Sequence, residues 1–76
     1  MYELLGYVRR TGEYQGRPFD NYNLHCKMVD PPSEHTGDCV EVIKVRSELI
    51  HSEDLVLGAL IDVFYDRFGR VSKVSF

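Results

Sequence analysis

The sequence predicts a single, mainly β domain in which five strands curl into a small barrel, with a short helix between the third and fourth strands. Its 76 residues are too few for more than one domain. Hydrophobic residues alternate with polar ones at the period of two that is typical of half-buried strands, and turn residues separate these runs. A five-stranded sheet in so short a chain has to hide its edges, which favours closure into a barrel.

The first two strands, residues 2–14 and 19–29, are predicted to form a hairpin. Gly6 and Gly12 mark bends of the first strand. The segment Gln15-Gly16-Arg17-Pro18 has the composition of a turn, because glycine tolerates positive φ and proline lacks the N–H donor of a strand ladder. The second strand alternates between core-facing Tyr22, Leu24, Cys26 and Met28 and outward-facing Asn23, His25 and Lys27.

Residues 30–38 are predicted to form an acidic loop, because they contain Pro31-Pro32 and a glycine. The third strand covers residues 40–45, and its apolar phase slips by one residue between Val42 and Ile43. A slip of this kind is typical of a β-bulge, so we expect a bulge and a sharp bend in this strand.

The short helix is predicted within residues 47–57, since Ser52 can cap its start and two acidic residues follow. The fourth strand covers residues 60–68 and the fifth covers residues 71–76. Gly69 lies in the turn between them, where a positive φ is expected.

The charge of the chain favours no partner by itself. The net charge is −3, and residues 29–56 carry −5 while the segments on either side carry +1 each. Residues 1–7 contain Glu3 and do not resemble a signal peptide, and no apolar run approaches the ~20 residues of a membrane span. Two cysteines are too few for a disulfide framework, which predicts reduced thiols in a cytoplasmic protein.

Neither catalysis nor metal binding is predicted. The chain has no phosphate-binding glycine loop, and the consecutive residues of His51-Ser52-Glu53-Asp54 cannot align a nucleophile, a base and an orienting group. The candidate zinc ligands are His25, Cys26, His35 and Cys39. Because His25 and Cys26 are neighbours in a strand, they point to opposite faces and cannot easily share an ion. We therefore predict a protein without a cofactor that is not an enzyme.

Two segments carry a resemblance to a known family. These are Tyr14-Gln15-Gly16-Arg17-Pro18-Phe19-Asp20-Asn21-Tyr22 and Val63-Phe64-Tyr65-Asp66-Arg67-Phe68-Gly69-Arg70-Val71. Together with the order of strands and helix, they resemble small OB-fold single-stranded-DNA-binding proteins of phages and conjugative elements. The resemblance implies a barrel that binds single strands without sequence preference, often as a dimer, and it favours DNA over RNA as the partner. An SH3-like barrel is the structural alternative.

The predicted binding face follows from the register of the first hairpin. If Val8 is a core residue opposite Leu24 or Cys26, then Tyr7 and Arg9 share the outward face of the second strand. The candidate nucleic-acid-binding residues of this face and its surroundings are Tyr7, Arg9, His25, Lys27, Lys44, Arg46, Tyr65 and Arg67. Aromatic rings stack on bases and cations contact phosphates, which is the mixture that single-strand binding needs.

Other interpretations of the same residues stay open. Arginine and lysine occupy most solvated sheet faces, and tyrosine and phenylalanine are common in strands. Tyr14, Phe19 and Tyr22 could pin the hairpin, form a dimer contact or stack on bases. A protein-interaction or self-association module is the alternative function, supported by the apolar fifth strand and the gain that so small a core would draw from dimerisation.

Overall fold

Five antiparallel strands form one sheet in the order β3-β2-β1-β4-β5 in the computed structural model, which describes residues 1–76. The strands are β1 (Tyr2–Tyr14), β2 (Arg17–Met28), β3 (Val40–Arg46), β4 (Leu60–Tyr65) and β5 (Val71–Ser75). The mainly β class, the number of strands and the antiparallel hairpins are therefore as predicted.

The sheet is not closed into a barrel, in contrast to the prediction. Strands β3 and β5 each pair on one side only, and no backbone ladder joins them. Strand β4 pairs with β1 only at Tyr2 and Glu3, opposite Ile61 and Leu60. The two hairpins are thus joined over a short ladder, and a gap is left between the edges of β3 and β5.

The β1–β2 hairpin is the longest feature of the molecule. Its turn consists of two residues, Gln15 and Gly16, which both have the positive φ (51° and 77°) that a type I′ turn requires. The turn is therefore tighter than predicted, and β2 begins at Arg17. Since β3 pairs with β2 only from Asn21 onward, residues 11–20 form a two-stranded ribbon beyond the rest of the sheet. We call these residues the arm.

A β-bulge in β1 determines which side chains share a face. Leu4 lies opposite Cys26 and Gly6 lies opposite His25, so Leu5 is an extra residue. The bulge shifts the alternation of every later residue of β1. The prediction that Val8 is a core residue is therefore wrong, because Val8 lies opposite Asn23 on the outward face.

The bulge predicted in β3 is absent. The β2–β3 register runs without interruption, and Ile43 and Val45 are buried in regular alternation. The apparent slip arises because Val40 and Val42, which are 55% and 61% exposed, lie on the opposite face of this edge strand. A second irregularity lies instead in β4, between Phe64 and Tyr65.

The predicted short helix is replaced by two three-residue 3₁₀ turns, Ser47–Leu49 and Ser52–Asp54. Neither turn has a side-chain cap, so the expected capping role of Ser52 is wrong. The segment is held by Ile50 and Leu55, which insert into the core. Neither turn is long or apolar enough to cross a membrane.

The core lies on one side of the sheet and is small. It includes Tyr22, Leu24 and Cys26, as the alternation of β2 predicts, whereas Met28 is only half-buried. The other buried side chains come from all remaining strands and from the connection after β3, namely Leu4, Ile43, Val45, Ile50, Leu55, Ile61 and Val74. Truncating a fully buried leucine such as Leu24 to alanine costs about 2–5 kcal/mol, a large part of the ~5–15 kcal/mol that stabilises a domain.

Candidate nucleic-acid interface

The three strands β1, β2 and β3 separate charge by face. Side chains of residues that lie opposite each other in an antiparallel ladder share a face. The face turned away from the core carries Arg10, Arg17, Asn21, Asn23, His25, Lys27, Lys44 and Arg46. We call this the outer face. Glu3 is the one carboxylate that the three strands place on it, whereas Glu13, Asp20 and Glu41 lie on the core side.

Three cations of the outer face have no carboxylate partner. Salt bridges join Lys27 to Asp38 (3.6 Å) and Arg46 to Glu48 (3.2 Å), both at exposed positions. Arg10, Arg17 and Lys44 make no salt bridge. These three side chains are therefore available to an anionic ligand without first breaking an ion pair.

A cleft of about 830 Å³ lies between the free edge of β3 and the β4–β5 hairpin. Its walls combine cations, amides, acids and apolar side chains from Asn21, Glu41, Val42, Ile43, Lys44, Arg46, Tyr65, Asp66, Gly69, Arg70, Val71 and Ser72. Lys44 and Arg46 belong to both the cleft and the outer face, so the two surfaces are continuous. Tyr65 is 52% exposed and offers an aromatic ring to the cleft.

Asp66 organises the turn at one end of the cleft. Its Oδ1 accepts hydrogen bonds from the backbone N–H groups of Phe68 (2.8 Å) and Arg70 (3.0 Å), and these bonds lower the pKa of the carboxyl. Gly69 has a φ of 79°, as predicted for this turn. The exposed ring of Phe68 lies beside the guanidinium groups of Arg67 (5.0 Å) and Arg70 (5.4 Å).

The structure brings together most of the predicted interface residues. His25, Lys27, Lys44 and Arg46 share the outer face, and Tyr65 joins Lys44 and Arg46 around the cleft. Arg67 is placed on the adjoining turn, over the ring of Phe68.

Tyr7 and Arg9 do not belong to this group, because the bulge at Leu5 places both on the core side of the sheet. Arg9 donates two hydrogen bonds to the Asp20 carboxylate (2.8 and 2.5 Å) and lies over the ring of Tyr22. The bonds from Arg9 lower the pKa of Asp20. Tyr7 packs edge-on against Tyr22, with 6.2 Å between the ring centroids. The predicted placement of Tyr7 and Arg9 beside His25 and Lys27 is therefore wrong.

Two arginines escaped the sequence prediction of this site. Arg10 lies on the outer face, and Arg70 lines the cleft. The available signal was Leu4-Leu5-Gly6, since two adjacent apolar residues followed by a glycine within a strand are consistent with a bulge. A bulge at that point exchanges Arg9 for Arg10 on the outer face.

The candidate zinc ligands are not assembled. His25 is exposed on the outer face and Cys26 is fully buried on the other, as their adjacency predicts. No group of three or more histidine, cysteine, aspartate or glutamate side chains is arranged to hold a metal ion. Burial raises the pKa of the Cys26 thiol to about 11.

The chain matches no protein-family model, no curated protein and no solved structure. Any functional assignment therefore depends on the geometry and charge of the surfaces described above.

Proposed function

We propose that this protein binds single-stranded nucleic acid, DNA in the first instance, without sequence preference and without catalysis. The binding surface is the outer face together with the adjoining cleft. One observation carries the proposal: in a chain of net charge −3, one sheet face gathers five arginine and lysine side chains and a single carboxylate.

The side chains of this surface suit the two parts of a single strand. Arg10, Arg17 and Lys44 are unpaired cations that can contact phosphates, and such contacts do not depend on sequence. Tyr65 and Phe68 expose aromatic rings on which unpaired bases can stack, each stack contributing about 1–3 kcal/mol. The acidic charge elsewhere on the chain repels a polyanion, so modest affinity with a steep salt dependence is expected.

The strand order supports an OB-like interpretation of the open sheet. OB-folds bind oligonucleotides on the face of their second and third strands, between the loops that follow the first and fourth strands. Here β2 and β3 carry the densest part of the outer face, and the β1–β2 and β4–β5 turns lie on either side of it. We propose an OB-like barrel left open between β3 and β5, with the cleft at the opening.

The experiment is fluorescence anisotropy of a labelled dT oligonucleotide at low and moderate salt. We expect micromolar or tighter binding at low salt. In the double variant Lys44→Ala/Arg46→Ala, the slope of log affinity against log salt should become shallower by about 0.7 for each phosphate that the variant no longer neutralises. Arg9→Ala is the matched control, because it removes an arginine from the opposite face and should leave the slope unchanged. Absence of binding at low salt, or an equal loss in the control, would refute the proposal.

The second candidate function is a protein-protein interaction module or a self-association module that forms a homodimer. The observation that favours it is the free edge of β3, where exposed Val40 and Val42 adjoin unpaired backbone. Such an edge is a template for pairing with another strand. Light scattering would show a dimer that Val42→Lys converts to a monomer. A monomeric wild type at high concentration would exclude the homodimer.

A further inference from the structure

We infer that the outer side of the arm is a second base-stacking subsite, separable from the cleft, and that Phe19 is its platform. The inference rests on the proposed function and specifies where else on the molecule the strand is held. The ligand is an unpaired nucleobase with its flanking phosphates, because the faces of bases in a duplex are already covered by their neighbours.

Phe19 is held in place by a glycine on the neighbouring strand. Gly12 lies directly opposite Phe19, and a Cβ on Gly12 would approach Phe19 Cζ to 2.8 Å and Cε1 to 3.1 Å. The ring therefore packs over the bare backbone of Gly12, where any larger residue would displace it. Phe19 is still 39% exposed. The side chain is thus positioned in advance on a ribbon that contributes no buried residue to the core.

Two arginines flank this ring on the same face, Arg17 within the arm and Arg10 at its base. Arg10 precedes Gly12 by two residues and Arg17 precedes Phe19 by two, so alternation places all four on one face. Neither arginine has a carboxylate partner. Tyr14 lies opposite Arg17 at the tip and is 70% exposed.

The other side of the arm has the opposite character. It carries Glu13 and Asp20, and Asp20 already engages Arg9. The arm therefore presents one side that attracts a polyanion and one that does not. Charge complementarity identifies the outer side as the binding side.

The arm and the cleft lie on one continuous path. Asn21 lies opposite Arg10 of β1 on one side and opposite Arg46 of β3 on the other. It also lines the cleft. A single strand can therefore pass from the cleft across Asn21 to the arm. Only an oligonucleotide long enough to cover both surfaces can use both.

The experiment measures anisotropy with a series of labelled dT oligonucleotides of increasing length. For wild type, we expect affinity to rise with length in two stages, as first the cleft and then the arm is filled. In Phe19→Leu, affinity for the long oligonucleotides should fall by roughly 5- to 150-fold, which is the fold-change expected for removing one base stack, while affinity for the shortest binding oligonucleotides stays unchanged. Gly12→Ala should act in the same direction, since its Cβ displaces the ring.

Tyr7→Leu is the control, because Tyr7 is a comparably exposed ring of the same hairpin on the opposite face (44%). It should change affinity at no length by more than a small factor. Circular dichroism melting would check that Phe19→Leu is folded, as expected for a residue outside the core.

The outcomes separate the two claims. If wild type binds but Phe19→Leu binds every length equally well, the arm is not a subsite and the proposed function stands. If wild type binds no oligonucleotide, both fail. If Phe19→Leu instead changes the molar mass measured by light scattering, the arm is a contact between copies and the inference is overturned. Equal competition by a matched duplex would also overturn it, since a duplex offers no unstacked base.

Discussion

Tyr7 stands directly opposite Leu24 in the β1–β2 ladder, on the side of the sheet that carries the core. The single extra residue Leu5 is the cause, because it shifts the alternation of all later residues of β1. Which arginine of the pair Arg9-Arg10 meets a ligand therefore depends on a bulge several residues away.

Deleting either the bulged residue itself or a later residue of β1 tests this relationship. Removing Leu5 leaves a regular ladder in which every other residue keeps its present partner. Removing Val8 instead draws Leu5 into the ladder, so that the bulge disappears and Gly6 takes the place of Tyr7 opposite Leu24. We expect the Val8 deletion to be the less stable of the two by at least the ~0.5–1.5 kcal/mol that the Tyr7–Tyr22 aromatic pair contributes.

Urea unfolding followed by circular dichroism would compare the two deletions. The Leu5 deletion should also bind oligonucleotide with the wild-type salt slope, because both faces are preserved. A Val8 deletion as stable as the Leu5 deletion would show that the bulge does not set the register.

The ion pair between Arg9 and Asp20 predicts a pH dependence of stability. Asp20 has a lowered pKa in the folded protein, mainly because Arg9 donates hydrogen bonds to its carboxylate. Its contribution to stability is therefore present above the ordinary carboxyl pKa and disappears as the pH falls through the lowered value. At neutral pH the melting temperature of wild type should be slightly higher than that of Asp20→Asn. In strong acid the two melting temperatures should be equal.

An NMR titration of the Asp20 carboxyl carbon would measure the shift itself. Arg9→Gln should return the pKa of Asp20 toward its ordinary value, whereas Arg10→Gln, on the other face, should leave it unchanged. An equal effect of the two variants would contradict the assignment of their faces.

Alternation in the sequence was sufficient to predict the strands and the core side of β2, because Tyr22, Leu24 and Cys26 are separated by polar residues throughout. It was not sufficient for β1, where a bulge changes the phase and only Leu5-Gly6 hints at it. In β3, Val40 and Val42 are exposed on an edge strand, so hydrophobicity there does not report burial. Barrel closure depends on how two hairpins diverge, and that angle has no local sequence signal.

The turn between β4 and β5 should be weakened by loss of the Asp66 carboxylate. Asp66→Ala removes the acceptor of the Phe68 and Arg70 N–H bonds, whereas Asp66→Asn keeps an acceptor and removes only the charge. We therefore expect the melting temperature to decrease in the order wild type, Asp66→Asn, Asp66→Ala. Because the pKa of Asp66 is lowered in the folded protein, the stability that its charge provides should disappear as the pH falls and the carboxyl becomes protonated.

The same two variants separate the turn from the cleft. Asp66→Asn removes one acid from the cleft that holds Arg46 and Arg70, so we expect it to bind the dT oligonucleotide more tightly than wild type at low salt. Unchanged binding by Asp66→Asn, with its fold intact by circular dichroism, would argue that no strand passes through the cleft.

The two cysteines should differ in reactivity, because Cys26 is fully buried and Cys39 is half-buried. Burial raises the pKa of Cys26 from 9.0 to about 11, so at mildly alkaline pH its thiolate, the nucleophilic form, is about 100-fold scarcer than for an ordinary thiol. Native protein treated with iodoacetamide should therefore gain one label, at Cys39, and the second only in denaturant, as read by intact mass. In Cys39→Ser, which keeps the backbone carbonyl that accepts from Met28 N–H, the native protein should stay unlabelled. Rapid labelling of native Cys39→Ser would contradict the buried position of Cys26.

The raised pKa of Cys26 also predicts a pH dependence of stability. Since the folded state retains the Cys26 proton more strongly than the unfolded state, stability should decline as the pH rises from about 9 to about 11.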